Sequence, residues 1–374
     1  MRIAIDYTPA LRQGAGIGRY TRGLVAALAE VDQQNRYTLF CAGDAPPADG
    51  WPAGFAVRRT RVPARWLTVA WHKLRLPIPA ELFAGGCDLY HSPDFALPPL
   101  RRARGIVTIH DLSFLRVPEC ADPGLRAFLA RAVPRAVARA HRILADSQST
   151  RRDLIALLGV PAEKISVVTP AVEPRFQRVE DQARLREVRR RYGLPDRFIL
   201  GIGTLEPRKN FVGLIRAYGQ LRRTAGLPHA LVIAGRPGWL YEAIYAQVGQ
   251  EGLAKDVRFL GFVADADLPT LYTLADLLAY PSRYEGFGIP VLEAMACGTP
   301  VVTSDNSSLP EAAGAAARLV NADDLAGLAE AMAQVIGDAA RRREMIERGY
   351  AQARRFTWRD SAHALVDAYQ AAAG

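Results

Sequence analysis

Glu285 and Glu293, separated by seven residues, are the side chains in this sequence best suited to holding a ligand rich in hydroxyls and phosphate. A carboxylate accepts from two vicinal hydroxyls at once, and a helix N-terminus attracts phosphate. Both lie in residues 281–300, Pro-Ser-Arg-Tyr-Glu-Gly-Phe-Gly-Ile-Pro-Val-Leu-Glu-Ala-Met-Ala-Cys-Gly-Thr-Pro. An apolar, strand-like run from Leu277 to Tyr280 precedes a loop containing Gly286 and Gly288. Pro290 suits a first helical turn, where its missing N–H would be unpaired in any case, and Gly298 should end that helix. This puts Glu285 in the loop and Glu293 about one turn into the helix. Both then sit at the carboxyl edge of a parallel sheet, where α/β proteins bind ligands.

A second constellation is Gly201-Ile-Gly203-Thr-Leu-Glu-Pro-Arg208-Lys209-Asn210. A strand ends in glycines, Pro207 turns the chain, and Arg208 and Lys209 begin a helix running through Ala217. Two cations beside a helix start can neutralise a diphosphate without a metal ion. His110 ends the apolar strand Gly105-Ile-Val-Thr-Ile, which should carry its imidazole to the ligand edge of the sheet rather than into the core. His91, in Tyr-His-Ser-Pro-Asp94, is the next candidate, whereas His72, His141, His229 and His363 have no such context. Gly14-Ala-Gly16-Ile-Gly18 lies between a first strand and a first helix. It lacks the third position of a dinucleotide fingerprint, which argues against NAD.

These groups need a scaffold that alternates strands and helices, and the sequence supplies one. Strands are expected over Arg2–Tyr7, Tyr37–Cys41, Ile106–His110 and Ile143–Asp146, with a helix from about Gly18 to Glu30. After a charged helical stretch from Asp181 to Tyr192, a second set of strands is expected at Phe198–Ile202, Ala230–Gly235, Val257–Leu260, Leu277–Tyr280 and Val301–Thr303. Alternation of this kind implies βαβ units around parallel sheets, and 374 residues suffice for two such domains. The boundary is expected near residue 170, giving domains over 1–170 and 171–356.

The composition, 49% hydrophobic and 23% charged, is that of an ordinary globular protein. With no run of about 18 apolar residues and a strand at the N-terminus, a cytoplasmic location is expected. Cys41, Cys87, Cys120 and Cys297 are scattered without ligand spacing, so neither disulfides nor zinc are indicated. A formal charge of +10 asks for an acidic partner. No nucleic-acid-binding signature is present, which favours a membrane-linked or pyrophosphate-bearing substrate. Residues 58–77 interleave Arg58, Arg59, Arg61, Arg65, His72, Lys73 and Arg75 with Trp66, Leu67, Val69, Trp71 and Leu74. That texture suits either a segment lying on an anionic membrane or a helix whose tryptophans pack on the core. A second basic stretch, from Arg126 to Arg152, reads as a solvated face.

The E-x7-E spacing inside Glu-Gly-Phe-Gly-Ile-Pro-Val-Leu-Glu-Ala-Met-Ala-Cys-Gly-Thr-Pro-Val-Val resembles the signature of the retaining family-4 glycosyltransferases. The glycine loop, His110, the Arg208–Lys209 pair and an amphipathic terminal helix follow in that family's order. The resemblance implies a GT-B fold: two Rossmann-like domains whose parallel sheets face across a cleft, with residues 357–374 crossing back to an N-terminal acceptor-binding domain. It implies that the C-terminal domain binds a nucleotide-diphospho-sugar through Gly203, Arg208, Lys209, Gly235, Phe262, Glu285, Gly286, Phe287, Gly288, Ile289 and Glu293. Gly16 and Gly18 would approach the diphosphate. His110, Arg208, Lys209 and Glu285 would serve catalysis, with His110 beside the sugar and acceptor, and the ends of the strands near Gly235 and Phe262 would receive the nucleobase. Asp265-Ala-Asp267 matches a metal motif of a different glycosyltransferase fold, but its place before Leu268-Pro suits an N-cap, and no metal or other cofactor is expected.

The implied activity is transfer of a hexose to a hydroxyl of a glycan or lipid-linked acceptor in cell-surface polysaccharide synthesis, on the inner face of the cytoplasmic membrane. Thr-Leu-Glu-Pro-Arg-Lys-Asn resembles mannosyltransferases of polysaccharide assembly, which makes GDP-mannose the first donor to consider. The alternatives are a UDP-sugar (glucose or GlcNAc) transferase, a GT-B epimerase, or a non-catalytic sugar-nucleotide-binding module.

Overall fold

A computed structural model describes residues 1–14, 16–43, 51–52 and 54–374. The chain divides into two compact units. The first comprises Met1–Leu115, Pro123–Ala171 and Thr357–Gly374, and the second Arg116–Asp122 and Val172–Phe356. The short segment Arg116–Asp122 was not separable from the first domain by sequence. It groups with the second unit because Trp239 Nε1 donates to the Cys120 carbonyl at 2.7 Å.

In the first unit β1 (Arg2–Asp6), β2 (Arg36–Ala42), β3 (Ala56–Thr60), β4 (Leu89–Ser92), β5 (Arg104–Ile109), β6 (Arg142–Ala145) and β7 (Ile165–Val167) form one parallel sheet in the order β3-β2-β1-β4-β5-β6-β7. The order reverses between β1 and β4, so the loops after these strands and after β5 are where a crevice can open. Apolar side chains on one face of this sheet join the helix Ile17–Val31 and the terminal helix Trp358–Ala373 in a shared core. Tyr20, Leu24 and Leu28 of the former and Leu365 and Tyr369 of the latter are all buried there. A methyl at Gly23 would stand 2.4 Å from the Trp358 ring, so only glycine lets the two helices close to this distance. Thr357 caps the terminal helix by accepting from the Asp360 amide, and Ser361 Oγ donates to the Thr169 carbonyl at 2.6 Å.

In the second unit β8 (Phe198–Ile202), β9 (Ala230–Ala234), β10 (Val257–Gly261), β11 (Leu277–Tyr280), β12 (Val301–Ser304) and β13 (Arg318–Val320) are again all parallel, in the order β10-β9-β8-β11-β12-β13. Every residue of β11 and β12 is buried, as expected for strands covered by helices on both faces. The switch in direction falls between β8 and β11. Those two strands deliver the Gly203–Asn210 and Ser282–Gly288 loops to the same carboxyl edge.

Residues 58–77 fold as β3, a short helix Ala64–Thr68 and a wider turn Val69–Lys73. Trp71 is buried, its Nε1 donating to the Ile78 carbonyl at 2.8 Å and its ring lying edge-on to Phe83. Of the two tryptophans only Trp66 faces outward, together with Leu74 and Leu76. Among the described residues, no helix is long and apolar enough to cross a membrane.

Candidate functional site

Glu285 is the hub of the carboxyl edge of the second sheet. Its backbone is clamped by the loop after β12: Ser307 Oγ accepts from the Glu285 amide at 3.0 Å, and Ser308 Oγ donates to its carbonyl at 2.8 Å. The residue is 6% exposed, and its carboxylate takes charge-assisted hydrogen bonds from Arg208 Nη1 at 2.8 Å and Lys209 Nζ at 2.6 Å. The Tyr280 hydroxyl, on the last residue of β11, donates to it at 2.9 Å and accepts from Lys209 at 2.7 Å. Arg208 is held further by Glu206 at 2.6 Å and by the Tyr284 carbonyl at 2.9 Å. The sequence pointed to Arg208 and Lys209 as cations able to neutralise a diphosphate. The structure places them in a cluster with Glu206 and Glu285, two cations and two carboxylates whose charges cancel.

Burial alone would raise the Glu285 pKa, but the charges of Arg208 and Lys209 outweigh it and hold the carboxyl down to about 2. Lys209 is also shifted down, first by burial and only partly restored by Glu285. The two directions are compatible because for Glu285 the two cations outweigh burial, whereas for Lys209 burial and the repulsion of Arg208 outweigh the attraction of Glu285 and Glu206. The cluster is therefore anchored by an ionised Glu285. A phosphate entering here offers the cations a replacement for that carboxylate.

The remaining residues of the second unit divide clearly. Gly203 lets the Lys209 stem lie against it, with Lys209 Cε 3.3 Å from where a Cβ would stand. At Gly235 a Cβ would fall 1.8 Å from the Gly203 carbonyl oxygen, so the loops after β8 and β9 touch backbone to backbone and tolerate no side chain. Phe262 follows β10 and is 56% exposed. Gly286, Gly288 and Ile289 lead into the helix Ile289–Ala296, whose N-terminus carries no side-chain cap. Phe287 points the other way, into the core, edge-on to Phe356 at 5.2 Å. It shapes the loop from behind.

Glu293 is 2% exposed, and its carboxylate accepts from the Tyr272 hydroxyl at 2.9 Å. It lies deeper than a residue simply presented on a first helical turn. Asp267 occupies the N-cap position expected of it but makes no cap hydrogen bond. Its carboxylate is bound instead by Arg184, Arg191 and the Tyr192 hydroxyl, a structural knot rather than a cap.

His110, Gly16 and Gly18 belong to the first unit. His110 follows β5 as expected, yet its ring is buried with both nitrogens engaged: Nδ1 lies 2.8 Å from Asp146 Oδ2 and Nε2 2.8 Å from the Pro93 carbonyl. A carbonyl can only accept, so Nε2 carries a proton. Burial pulls the imidazole pKa down, but the Asp146 charge and hydrogen bond, with Asp94 and the Pro93 carbonyl, raise it to about 9. His110 is thus buried with both ring nitrogens engaged, in surroundings that favour its protonated form, rather than exposed at the ligand edge. His91 is wholly internal, between the Tyr369 and Thr108 hydroxyls at 2.9 Å each, and burial takes its pKa down to about 3.

The Gly14–Gly18 loop includes Ala15, which lies outside the described residues. Gly16 is the N-cap of the helix Ile17–Val31 and has open space around its Cα. Gly18 is required by packing, since a Cβ would overlap the Gln13 carbonyl oxygen at 1.8 Å.

Sequence reasoning missed Glu206, Tyr280, Ser307 and Ser308. Glu206 lay within the basic motif and could have been found as a carboxylate two residues from Arg208. The two serines sit 22 and 23 residues from Glu285, and only the β11–β12 pairing brings them to it.

Comparison with known proteins agrees with this geometry. Residues 186–352 match the family described as Glycosyl transferases group 1, and residues 14–176 match Glycosyltransferase Family 4. The chain is 34% identical over 283 residues to the O-antigen chain mannosyltransferase B of Escherichia coli, covering 75% of this chain and 74% of that protein. It is 33% identical over 270 residues to the E. coli serotype-specific mannosyltransferase WbdA, covering 71% of this chain but only 33% of WbdA. Among solved structures, sucrose-phosphate synthase from Thermosynechococcus elongatus superposes with a TM-score of 0.76 at 20% identity, covering 99% of this chain and 98% of that one. Anabaena HepE in complex with UDP and glucose gives 0.71 at 20% identity, covering 99% of each chain. With two parallel-sheet, Rossmann-like units and a relative of this identity and coverage, the chain belongs to glycosyltransferase family 4.

Proposed function

We propose that the protein transfers a hexose, with mannose from GDP-mannose as the first donor, to a hydroxyl of a glycan or lipid-linked acceptor in polysaccharide assembly, with retention of anomeric configuration. The observation that carries this reading is the Arg208–Lys209–Glu285 cluster at the switch point of the second sheet. It offers two largely buried cations and a preorganised set of donors where a leaving diphosphate would develop charge.

As the bond to the anomeric carbon breaks, the electron pair goes to the bridging phosphate oxygen, whose charge Arg208 and Lys209 neutralise. The anomeric carbon acquires positive character. The acceptor hydroxyl attacks on the same face and passes its proton to the leaving phosphate oxygen, so no protein nucleophile is needed. Glu285, exchanging its cations for the diphosphate, becomes available to the hydroxyls of the sugar. Glu293, held by Tyr272, serves the ribose. In this scheme the cations do the work of a metal ion, and the enzyme needs none. The second unit is the donor-binding domain, and the first, with His110, serves the acceptor.

Support for mannose comes from the two E. coli mannosyltransferases. The competing donor is a UDP-sugar, as in the HepE complex. Cytoplasmic action at the inner membrane face is supported by the outward set of Trp66, Leu74 and Leu76 beside Arg65 and Lys73, which suits an anionic lipid surface. Incubation with GDP-mannose, UDP-glucose, UDP-GlcNAc and ADP-glucose, scored by acceptor-dependent release of nucleotide diphosphate, tests the reading. Release from GDP-mannose alone supports it. Tight binding without release from any donor would make the protein a sugar-nucleotide-binding module instead.

A further inference from the structure

The amino edge of the first sheet, opposite the edge that carries His110, holds a half-open cavity of about 330 Å³ where the chain enters β5 and β6. Its wall is basic: Arg101 and Arg102 come from the loop before β5, Arg139 from the end of the helix Pro123–Arg139, and His141 from just before β6. Leu97 and Leu100 supply an apolar side. Gly105 lies beneath them. A Cβ there would stand 2.7 Å from Leu97 Cδ2 and 3.0 Å from Leu100 Cδ1, so any side chain would push the two leucines aside.

The cations of this wall have no anionic partner among the described residues. The loop is fixed through its backbone, with Glu81 Oε1 accepting from the amides of Arg101 at 2.8 Å and of Arg102 and Ala103 at 3.0 Å each. The Arg101 and Arg102 residues are exposed, and their guanidinium groups make no hydrogen bond or ion pair among the described residues. Arg139 is anchored by carbonyls rather than by a carboxylate, Nη1 donating to Leu97 at 3.3 Å and Nη2 to Pro98 at 2.8 Å. His141 Nδ1 accepts from the Gly105 amide at 3.1 Å, so the neutral ring carries its proton on Nε2. Burial, then the charges of Arg104 and Lys164, hold this imidazole below its ordinary pKa and keep it neutral at pH 7. Arg104 and Lys164 are themselves spent on carbonyls, those of Ala372 and of Val137 and Ala138. Positive charge gathered in this way repels itself, and a bound anion relieves the repulsion.

We propose that this cavity binds a phosphomonoester, its phosphate held by the Arg101, Arg102 and Arg139 guanidinium groups and His141 Nε2–H, its carbon body lying on Leu97 and Leu100. A dianionic phosphate has enough oxygens to meet more than one arginine fork in charge-assisted pairs. The volume is at the small end of the roughly 300–1,000 Å³ of ligand pockets, which suits a phosphate on a short polyol. A free glycerol phosphate and the headgroup of phosphatidic acid present this same chemistry. From Gly105 to His110 the strand rises about 16 Å, so the cavity is separate from the carboxyl edge, and the inference does not depend on the transferase reading.

The test is calorimetric titration of the full chain with glycerol 3-phosphate and with glycerol, for the native protein, Arg139→Gln, the pair Arg101→Gln with Arg102→Gln, and Arg208→Ala. Glycerol 3-phosphate should bind and glycerol should not. The paired variant keeps the backbone amides on Glu81, and it should lose affinity by about ten-fold or more, the loss of one charge-assisted hydrogen bond. Arg139→Gln should do the same, and Arg208→Ala should leave the affinity unchanged. Co-sedimentation with phosphatidylcholine vesicles carrying either phosphatidic acid or phosphatidylglycerol distinguishes the sources. Binding to phosphatidic acid vesicles alone, lost in the paired variant, assigns the phosphate to a lipid headgroup. Should only vesicles bind, and equally with either lipid, the attraction is diffuse and the site is overturned. It is overturned too if no phosphate binds, if the paired variant keeps native affinity, or if affinity is lost in Arg208→Ala instead, which would put the phosphate on the Arg208 cluster.

Discussion

Replacing Glu285 with glutamine removes one negative charge from a buried cluster and takes from Lys209 its directly paired carboxylate. The native cluster holds the Glu285 pKa at about 2 against an ordinary 4.5. At about 1.36 kcal/mol for each tenfold change, that corresponds to roughly 3 kcal/mol favouring the ionised form in the folded chain. Glutamine resembles the protonated acid, so Glu285→Gln should destabilise the second unit by a similar amount at pH 7. Its melting temperature should fall by roughly 6–12 °C. Because the folded pKa is depressed, the native advantage is complete above pH 4.5 and is lost as pH falls towards 2.

Ligand affinity should move the other way. In the native chain a diphosphate competes with Glu285 for Arg208 and Lys209, whereas in the variant it meets cations already short of a partner. A tenfold gain in affinity would add about 1.4 kcal/mol of ligand-induced stabilisation. Turnover should nevertheless fall, because the carboxylate released by the diphosphate is lost to the transferring sugar. Thermal melts of both proteins with and without GDP, from pH 3 to pH 8, measure these quantities together. A variant as stable as the native protein at pH 7, or one with tenfold weaker GDP binding, would refute the argument that the carboxylate and the diphosphate share the same cations.

Arg208→Ala and Lys209→Ala should each lower turnover by about 100- to 1,000-fold, read as nucleotide diphosphate released under saturating donor. Native turnover should survive EDTA unchanged; restoration of a chelated enzyme by Mg²⁺ or Mn²⁺ would show that the cations alone do not suffice. His110 has a folded pKa raised to about 9 from 6.5, so its stabilising contribution is full below pH 6.5 and lost as pH rises through 9. Melts of the native protein and His110→Gln should therefore differ by roughly 3 kcal/mol near pH 6 and converge near pH 10. Binding to anionic vesicles should weaken with salt and with Trp66→Ala combined with Arg65→Gln and Lys73→Gln. Trp71→Ala belongs to a different class, since it would damage the core; vesicle binding unaffected by the Trp66 combination would dismiss the membrane contact.

Much of this architecture was legible in the residue order because the relevant signals are local. Phe198–Ile202 and Leu277–Tyr280 are short, wholly apolar or glycine-ended runs between helical patterns, and both strands fall where the pattern put them. The loop position of Glu285 followed from the same local cues, but Arg208 and Lys209 do not begin the helix as expected: they lie in the short 3-10 turn Pro207–Lys209, and the left-handed Asn210 separates them from the helix Phe211–Ala225. The strands at Ala56–Thr60, Leu89–Ser92, Ile165–Val167 and Arg318–Val320 were missed for physical reasons. The first and last are edge strands carrying arginines and are partly exposed, and Leu89–Ser92 includes His91 and Ser92, polar residues buried only because Thr108, Tyr369 and the Ala96 carbonyl satisfy them. Propensity does not record such partners.

What tertiary structure decided was how the charges are paired and which faces are covered. Residue types announced that Arg208, Lys209 and Glu285 were chemically capable. That Glu285 neutralises the other two depends on β8 and β11 lying side by side, which brings residues 76 and 77 apart in sequence into contact. The same holds for His110, whose strand end was legible but whose second nitrogen is occupied by a carbonyl from the loop after β4. It holds too for Trp66 and Trp71, which share one basic-aromatic texture, yet the wider turn Val69–Lys73 sends one outward and one into the core. Period and spacing are properties of one segment, whereas electrostatic compensation and burial belong to pairs of segments. Only the packed sheet sets those pairs.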